Sequence, residues 1–199
     1  MQSWHPSIST QIETQRLILR PYQPGDEVWY YEMSRQNREH LRQYESGNAV
    51  MSILTPKDAE AVVCEFSQKW ETQKSFFLGA FCKDTQEFVA QIYIGVVNWE
   101  SHEFELGYFA DVHHEGKGYV SEAANGALRF LFERMNAQRV RLECDDTNVR
   151  SYKVAERCGM VLEAHFPEDK QNPDGSLSGT YHYGLSRSKY FEQTRGSYS

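Results

Sequence analysis

The sequence predicts one domain: a mixed α/β layer in which helices flank a central, mostly antiparallel sheet of about six to seven strands. Three observations lead there. The chain has 199 residues with no internal repeat or low-complexity tract, an ordinary single-domain length. Its hydrophobic pattern begins helical, becomes a meander of short apolar runs, and then alternates strand–helix–strand–helix–strand. At 40% hydrophobic, 14% aromatic and 25% charged it has the composition of a folded globular chain. A chain of this size buries about 70% of its unfolded surface, so it needs neither disulfide nor metal to hold a core.

Residues 1–13 are polar and are expected to be loosely ordered. Arg16–Arg20 is short, apolar and bounded by Pro21, which predicts a strand. Gly25 to Tyr44 reads as one or two helices. Thr55-Pro56-Lys57-Asp58 is a helix start, with Thr as N-cap, Pro in the first turn and an acidic group near the positive end of the dipole. Ala61, Val62, Phe66 and Trp70 continue that helix at helical spacing. Phe76–Lys83 and Phe88–Trp99 are strands flanking a hairpin turn at Asp84–Glu87. Glu103–Phe109 alternates polar and apolar residues, as a half-buried strand does. A glycine loop, His113 to Gly118, then opens a helix with Val120, Ala124, Ala127 and Leu131 on one face, ending near Met135. Arg139–Cys144 is a strand, Asn148–Cys158 a helix closed by Gly159, and Met160–Phe166 a strand. Pro167–Gly179 reads as a mobile loop, Tyr181–Ser186 as the last strand, and 189–199 as a polar tail. The domain proper is thus 14–188.

The net charge of −7 disfavours nucleic acid and favours cations such as amines, although it is also an ordinary solubility feature. Cys64, Cys82, Cys144 and Cys158 lack metal-site spacing and read as reduced thiols, so no metal is expected. The first residues show no basic segment followed by an apolar stretch, and no apolar run approaches about 20 residues. A cytoplasmic protein without membrane contact is the expectation.

Several motifs fail. A phosphate-binding loop ending at Gly116-Lys117 would need Gly where Asp111 stands and Ser or Thr where Gly118 stands. A dinucleotide fingerprint fails at Ser121, a zinc-protease helix fails at Gly118, and Gly175–Gly179 has Leu177 where a nucleophilic serine belongs. What survives is a strand, a glycine loop and a helix start. Gly116 and Gly118 let consecutive amides face an anion, the helix N-terminus adds partial positive charge, and Lys117 adds a cation. The alternative reading of this loop is a strand-to-helix turn that binds nothing. Asn148-Val149-Arg150-Ser151 opens the later helix, where capping alone explains both Asn148 and Ser151 when taken singly.

Together the pieces resemble a known family. His113-His114-Glu115-Gly116-Lys117-Gly118-Tyr119 is similar to the acetyl-CoA loop of the GNAT N-acetyltransferase superfamily, Gln/Arg-x-x-Gly-x-Gly/Ala. Thr14-x-Arg16-Leu17-Ile18-Leu19-Arg20, Glu105-Leu106-Gly107-Tyr108 and Asn148-x-x-Ser151 through Gly159-Met160 resemble its RimJ/RimL branch, the ribosomal-protein N-terminal acetyltransferases. The resemblance covers 14–188. It departs from the family at His113, where Gln or Arg is usual, and at Ala155, where many members carry a tyrosine that protonates the leaving thiolate.

The resemblance implies transfer of an acetyl group from acetyl-CoA to a primary amine by direct attack on the thioester. An α-amino group has pKa about 7.7–8.0 and a lysine-type ammonium about 10.4, so a base must take a proton. Glu103 and Glu105 share a strand face, and Glu105, directly or through water, is the expected base. Glu103 or a water chain is the alternative base, and an exposed strand charge or structural ion pair is the alternative reading of Glu105. Ser151 is expected to hydrogen-bond the departing sulfur, and a backbone amide near Val112 to hold the carbonyl oxygen. His113, Gly116, Lys117, Gly118 and Tyr119 form the loop expected on the pyrophosphate, and Asn148 is expected on the pantetheine arm. The acceptor site implied by the family lies among the early helices and last strands, which carry Trp29, Glu32, Tyr44 and Phe166. The acceptor reads as a protein N-terminal α-amine. A polyamine, an aminoglycoside and a non-catalytic acyl-CoA-binding protein of the same fold are the alternatives, and a homodimer is compatible with each.

Overall fold

A computed structural model describes residues 11–172 and 175–196. In chain order the elements are β1 (Ile12–Glu13), β2 (Leu17–Pro21), α1 (Glu27–Leu41), α2 (Pro56–Glu71), β3 (Ser75–Cys82), β4 (Phe88–Asn98) and β5 (Glu103–Ala110). They are followed by α3 (Tyr119–Glu133), β6 (Arg139–Asp145), α4 (Val149–Arg157), β7 (Val161–Gln171), β8 (Leu177–Ser186) and α5 (Arg187–Gly196). The strands form one sheet in the order β1-β2-β3-β4-β5-β6-β8-β7. Every neighbouring pair is antiparallel except β5–β6. The predicted class therefore holds, with eight strands in place of six or seven.

Strand alternation divides the core in two. Phe76, Leu78, Ile92, Ile94, Phe104 and Leu106 face α3, where Ala123, Ala124, Ala127, Leu128 and Leu131 pack against them. Tyr22, Tyr30, Met33, Val63, Phe66 and Phe109 form a second apolar layer under α1 and α2. The helix starts are chemically explicit. Thr55 and Asp58 close a capping box on α2 with Pro56 at the first turn, and Asn48 caps a short 3₁₀ turn at Ala49–Ser52. Asn148 caps α4, its Oδ1 accepting the Ser151 amide at 3.1 Å.

Three segments differ from the sequence reading. Within 1–13, Ile12–Glu13 is an edge strand paired to Leu19 and Ile18, because Ile12 is buried against α3. Gly126 on α3 permits that approach, since a Cβ there would meet Thr14 Cγ2 at 2.8 Å. Residues 1–10 lie outside the described residues. The expected polar tail is largely helical: Tyr190 stacks on Phe132 with centroids 4.5 Å apart and donates to Glu133 (3.1 Å), while Gln193 donates to the Gly159 carbonyl (3.1 Å). The expected loop at 167–179 is mostly hairpin. Strand β7 runs on to Gln171 through a register shift, and Thr180 Oγ1 donates to Asp169 (3.0 Å). Residues 173–174 of that loop lie outside the described residues.

Candidate active site

The site begins where a ladder stops. On one side of β5 the pairing with β4 runs from Asn98/Glu103 to Ala90/Ala110. On the other side, pairing with β6 covers Glu103/Arg139, Phe104/Val140 and Glu105/Arg141 and then ends. β6 meanwhile stays paired to β8 as far as Asp145/Thr180. From Leu106 onward β5 and β6 therefore diverge, leaving main-chain groups that an extended ligand can pair with.

A cavity of about 410 Å³ opens at this divergence. Its walls are Tyr108, Phe109 and Ala110 of β5, Val120 of α3, and Asn148, Ser151 and Val154 at the start of α4. His40, Leu41, Tyr44 and Glu45, at and just beyond the end of α1, cover it. The volume suits part of a cofactor-sized molecule. Tyr44 Oη donates to the Thr147 carbonyl (3.3 Å), and Glu115 bridges Arg150 (2.5 Å) and His40 (3.2 Å), so three elements are tied together around the mouth.

Beside the cavity lies the glycine loop. Gly116 (φ 73°) and Gly118 (φ 77°) both occupy the left-handed region, where a Cβ costs roughly 1–2 kcal/mol. Gly118 is the N-cap of α3, and the first helical bond runs from Glu122 N to Gly118 O (3.1 Å). The amides of Tyr119, Val120 and Ser121 consequently have no intrahelical acceptor and leave free donors at a helix N-terminus, a geometry suited to an anion. The loop is braced from β2. Arg16 donates to the Lys117 carbonyl (3.1 Å), pairs with Glu122 (2.6 Å) and stacks over Tyr119 at 4.5 Å. Burial alone would raise the Glu122 carboxyl, but donation from the Thr14 hydroxyl and the Arg16 amide and guanidinium holds it below the ordinary value. Lys117 folds back to the His113 carbonyl (3.1 Å).

A second network fixes the strand end. Asp111, buried, accepts from Asn37 Nδ2 (2.8 Å) and the His113 amide (3.0 Å) and contacts His114 Nδ1 (2.9 Å). Asn37 Oδ1 in turn accepts the Val112 amide at 2.8 Å. The expectation places a backbone amide near Val112 on the thioester oxygen; here the Val112 amide is taken by Asn37 of α1 and the His113 amide by Asp111. His113 lines a separate depression with Trp29 and Phe88 and does not line the cavity.

The structure thus brings Asn148 and Ser151 together in the cavity wall, with Gly116, Lys117, Gly118 and Tyr119 on the adjoining loop. Glu105 is placed differently. It faces Arg141 at 3.5 Å, as Glu103 faces Arg139 at 3.6 Å, so both carboxylates stitch the paired part of the seam and neither lines the cavity. Their shared face was legible; the two arginines opposite them were not, because register across a parallel crossover is set by tertiary packing. The sequence marks Tyr108 only within a resembling motif, with no role attached; its hydroxyl donates to the Ser151 carbonyl (2.9 Å), and burial pushes its phenol well up. Burial likewise pushes Cys144 to about 11 and Cys158 to about 12, so both thiols near this wall stay protonated at neutral pH.

Among the described residues, no group of His, Cys, Asp and Glu is arranged to hold a metal ion, and no helix is long and apolar enough to cross a membrane.

Comparison with known proteins agrees with this geometry. The profile of the Acetyltransferase (GNAT) domain family matches residues 16–161. An uncharacterized N-acetyltransferase of Bacillus subtilis, YnaD, is 29% identical over 160 residues, covering 78% of this chain and 85% of its own. The [ribosomal protein uS5]-alanine N-acetyltransferase of Escherichia coli is 24% identical over 156 residues, covering 78% of this chain and 80% of its own. The fold matches that of RimL, a ribosomal L7/L12 alpha-N-protein acetyltransferase solved with coenzyme A, with TM-score 0.79 and 16% identity over 88% of this chain and 97% of that one. A glycine-capped helix start beside a parted sheet, on a chain matched by this family over most of its length, has one reading: the protein belongs to the GNAT acetyltransferase family and is an acetyl-CoA-dependent N-acetyltransferase.

Proposed function

We propose that the acceptor is the α-amine of a protein N-terminus. The observation that carries this reading is the mouth of the cavity. The cavity is partly open to solvent and is lined by the residues of both the Tyr44–Thr147 contact and the Glu115–Arg150 pair, which suits the end of a chain rather than an enclosed small molecule. Two carboxylates, Glu45 and Glu115, line it, which suits an incoming ammonium. Two of the relatives are named for acetylating ribosomal proteins, which supports the same class.

In this reading the amides at the start of α3 and the side chain of Lys117 hold the pyrophosphate. The unpaired edges of β5 and β6 receive the pantetheine amides, with Asn148 shaping that wall. The neutral amine attacks the thioester carbonyl, the C–N bond forms as the C–S bond breaks, and the sulfur leaves as a thiolate that regains a proton. Ser151, in the cavity wall, stabilises that sulfur. With no tyrosine at Ala155, the coenzyme A thiolate relies on this hydroxyl and on its own moderate basicity.

The test presents the purified protein with acetyl-CoA and a panel of amines while following free thiol. The panel holds peptides with free N-termini, the same peptides N-terminally blocked but carrying lysine, a polyamine and an aminoglycoside. Turnover on free N-termini alone is expected. Preference for the polyamine or aminoglycoside would replace this reading with a small-molecule one, and acetyl-CoA binding without turnover on any amine would replace it with a non-catalytic one.

A further inference from the structure

We propose that Glu45, in the turn after α1, is the group that takes the proton from the acceptor ammonium. The inference rests on the reading of this cavity as the site of amine acetylation, and concerns a residue that no sequence motif marks.

Three observations carry it. The first is position. Glu45 lines the same cavity as Ser151, Asn148 and Tyr108, where β5 and β6 part. Tyr44, its neighbour, reaches across to the Thr147 carbonyl (3.3 Å), so the turn is anchored beside the start of α4 rather than left free in solvent. The second is local support. The turn is closed by Glu45 N to Leu41 O (2.8 Å) and Asn48 N to Glu45 O (2.9 Å), and Asn48 Nδ2 donates to the carboxylate at 3.5 Å.

The third is chemical contrast with the other carboxylates near the seam. Glu103 and Glu105 face Arg139 and Arg141, and Glu115 is held by Arg150 and His40. A carboxylate locked to a guanidinium is a poor proton acceptor, because the cation stabilises its charged form. Among the described residues Glu45 makes no ion pair. Burial pushes its carboxyl above the ordinary range, partly offset by Asn48 and by the charge of Lys170 on β7. A carboxylate raised in this way is closer in basicity to the amine it must deprotonate. Lys170 from β7 is the charge that acts on it, and the other titratable or charged groups lining the same cavity are His40 from α1, Tyr44 beside it, Tyr108 from β5, Glu115 from the loop and Arg150 from α4.

The ammonium passes one proton to the Glu45 carboxylate, leaving a neutral amine and a carboxylic acid. As the amine nitrogen bonds to the thioester carbonyl it becomes cationic, and its second proton passes to the sulfur as the C–S bond breaks, giving an amide and a free thiol. Glu45 then returns its proton to solvent, so one proton is released for each ammonium acetylated.

The experiment compares wild type with Glu45→Gln, which keeps the size of the side chain and the contact with Asn48, and with Glu45→Asp. Two nucleophiles are used with acetyl-CoA: the best amine of the panel, and hydroxylamine, which is already unprotonated at neutral pH. Glu45→Gln is expected to lower amine acetylation at neutral pH by about 100- to 10,000-fold, with partial recovery at high pH. Hydroxylamine acetylation and acetyl-CoA affinity are expected to hold, and Glu45→Asp to retain part of the amine rate. An unchanged pH–rate profile in Glu45→Gln, or an equal loss with both nucleophiles, would overturn the assignment. Should wild type acetylate only a polyamine, the protein-acceptor reading falls while Glu45 is still tested on that polyamine. Should wild type acetylate no amine, both fall.

Discussion

The two edges of strand β5 are built to opposite ends. Toward β4 the ladder is complete, from Glu103 to Ala110, and Ile92, Ile94, Phe104 and Leu106 beneath it are fully or almost fully buried. Toward β6 the ladder stops at Glu105, and the next residues border a cavity instead of a partner strand. One edge supplies stability; the other leaves hydrogen-bonding capacity unspent so that a ligand can use it. The same strand therefore serves as core and as site, and mutations on its two sides should separate folding from chemistry.

The largest effect belongs to the complete edge. Ile94→Ala, opposite Leu106 and fully buried, should cost about 2–5 kcal/mol of stability by chemical denaturation while the folded fraction keeps its acetyl-CoA affinity. Loss of affinity at full foldedness would mean that the two edges are not separable.

On the open edge, Ser151→Ala should lower turnover by a factor of ten to a few hundred, about 1.4–3 kcal/mol in barrier, with little change in acetyl-CoA affinity. Tyr at position 155 in that variant should restore part of the loss. Full activity with only a small drop in melting temperature would reduce Ser151 to a first-turn residue of α4.

Next in size is the loop. Gly118→Asp sets a carboxylate and a Cβ on a left-handed residue at the start of α3, and acetyl-CoA affinity should fall at least tenfold, about 1.4 kcal/mol, by calorimetry. Unchanged binding would sink the loop assignment.

The smallest effect tests the brace behind that loop. Because the Glu122 carboxyl is held below its ordinary value in the folded protein, its contribution is present above the unfolded value and is lost as pH falls through the lowered folded one. Arg16 is largely exposed, so Glu122→Gln should cost only about 1 kcal/mol at neutral pH. In denaturation curves that gap should close as the pH drops below about 4.3. A gap independent of pH would make the Glu122 contribution one of packing rather than charge.

How much of this was legible depends on how local its cause is. The capping box at Thr55, the cap at Asn148, the hairpin turn at Asp84–Glu87 and the left-handed glycines follow from residues within a few positions of one another. The tail helix was missed because Tyr190 is held by Phe132 and Glu133, far away in sequence. The Val112 amide was misassigned because its acceptor, Asn37, comes from a helix with no sequence link to it.

By itself, then, the sequence determined the layered class, the order of the main strands and helices between Leu17 and Ser186, the glycine loop and the serine at the start of α4, since short-range propensity and spacing encode each of these. Only the tertiary structure decided where the β5–β6 ladder ends, that Glu105 is spent on Arg141, and that Glu45 lines the cavity instead. Those outcomes depend on which groups meet across a parallel crossover and across the gap between α1 and α4. Contacts of that kind are fixed by packing of distant segments, and no local pattern in the chain records them.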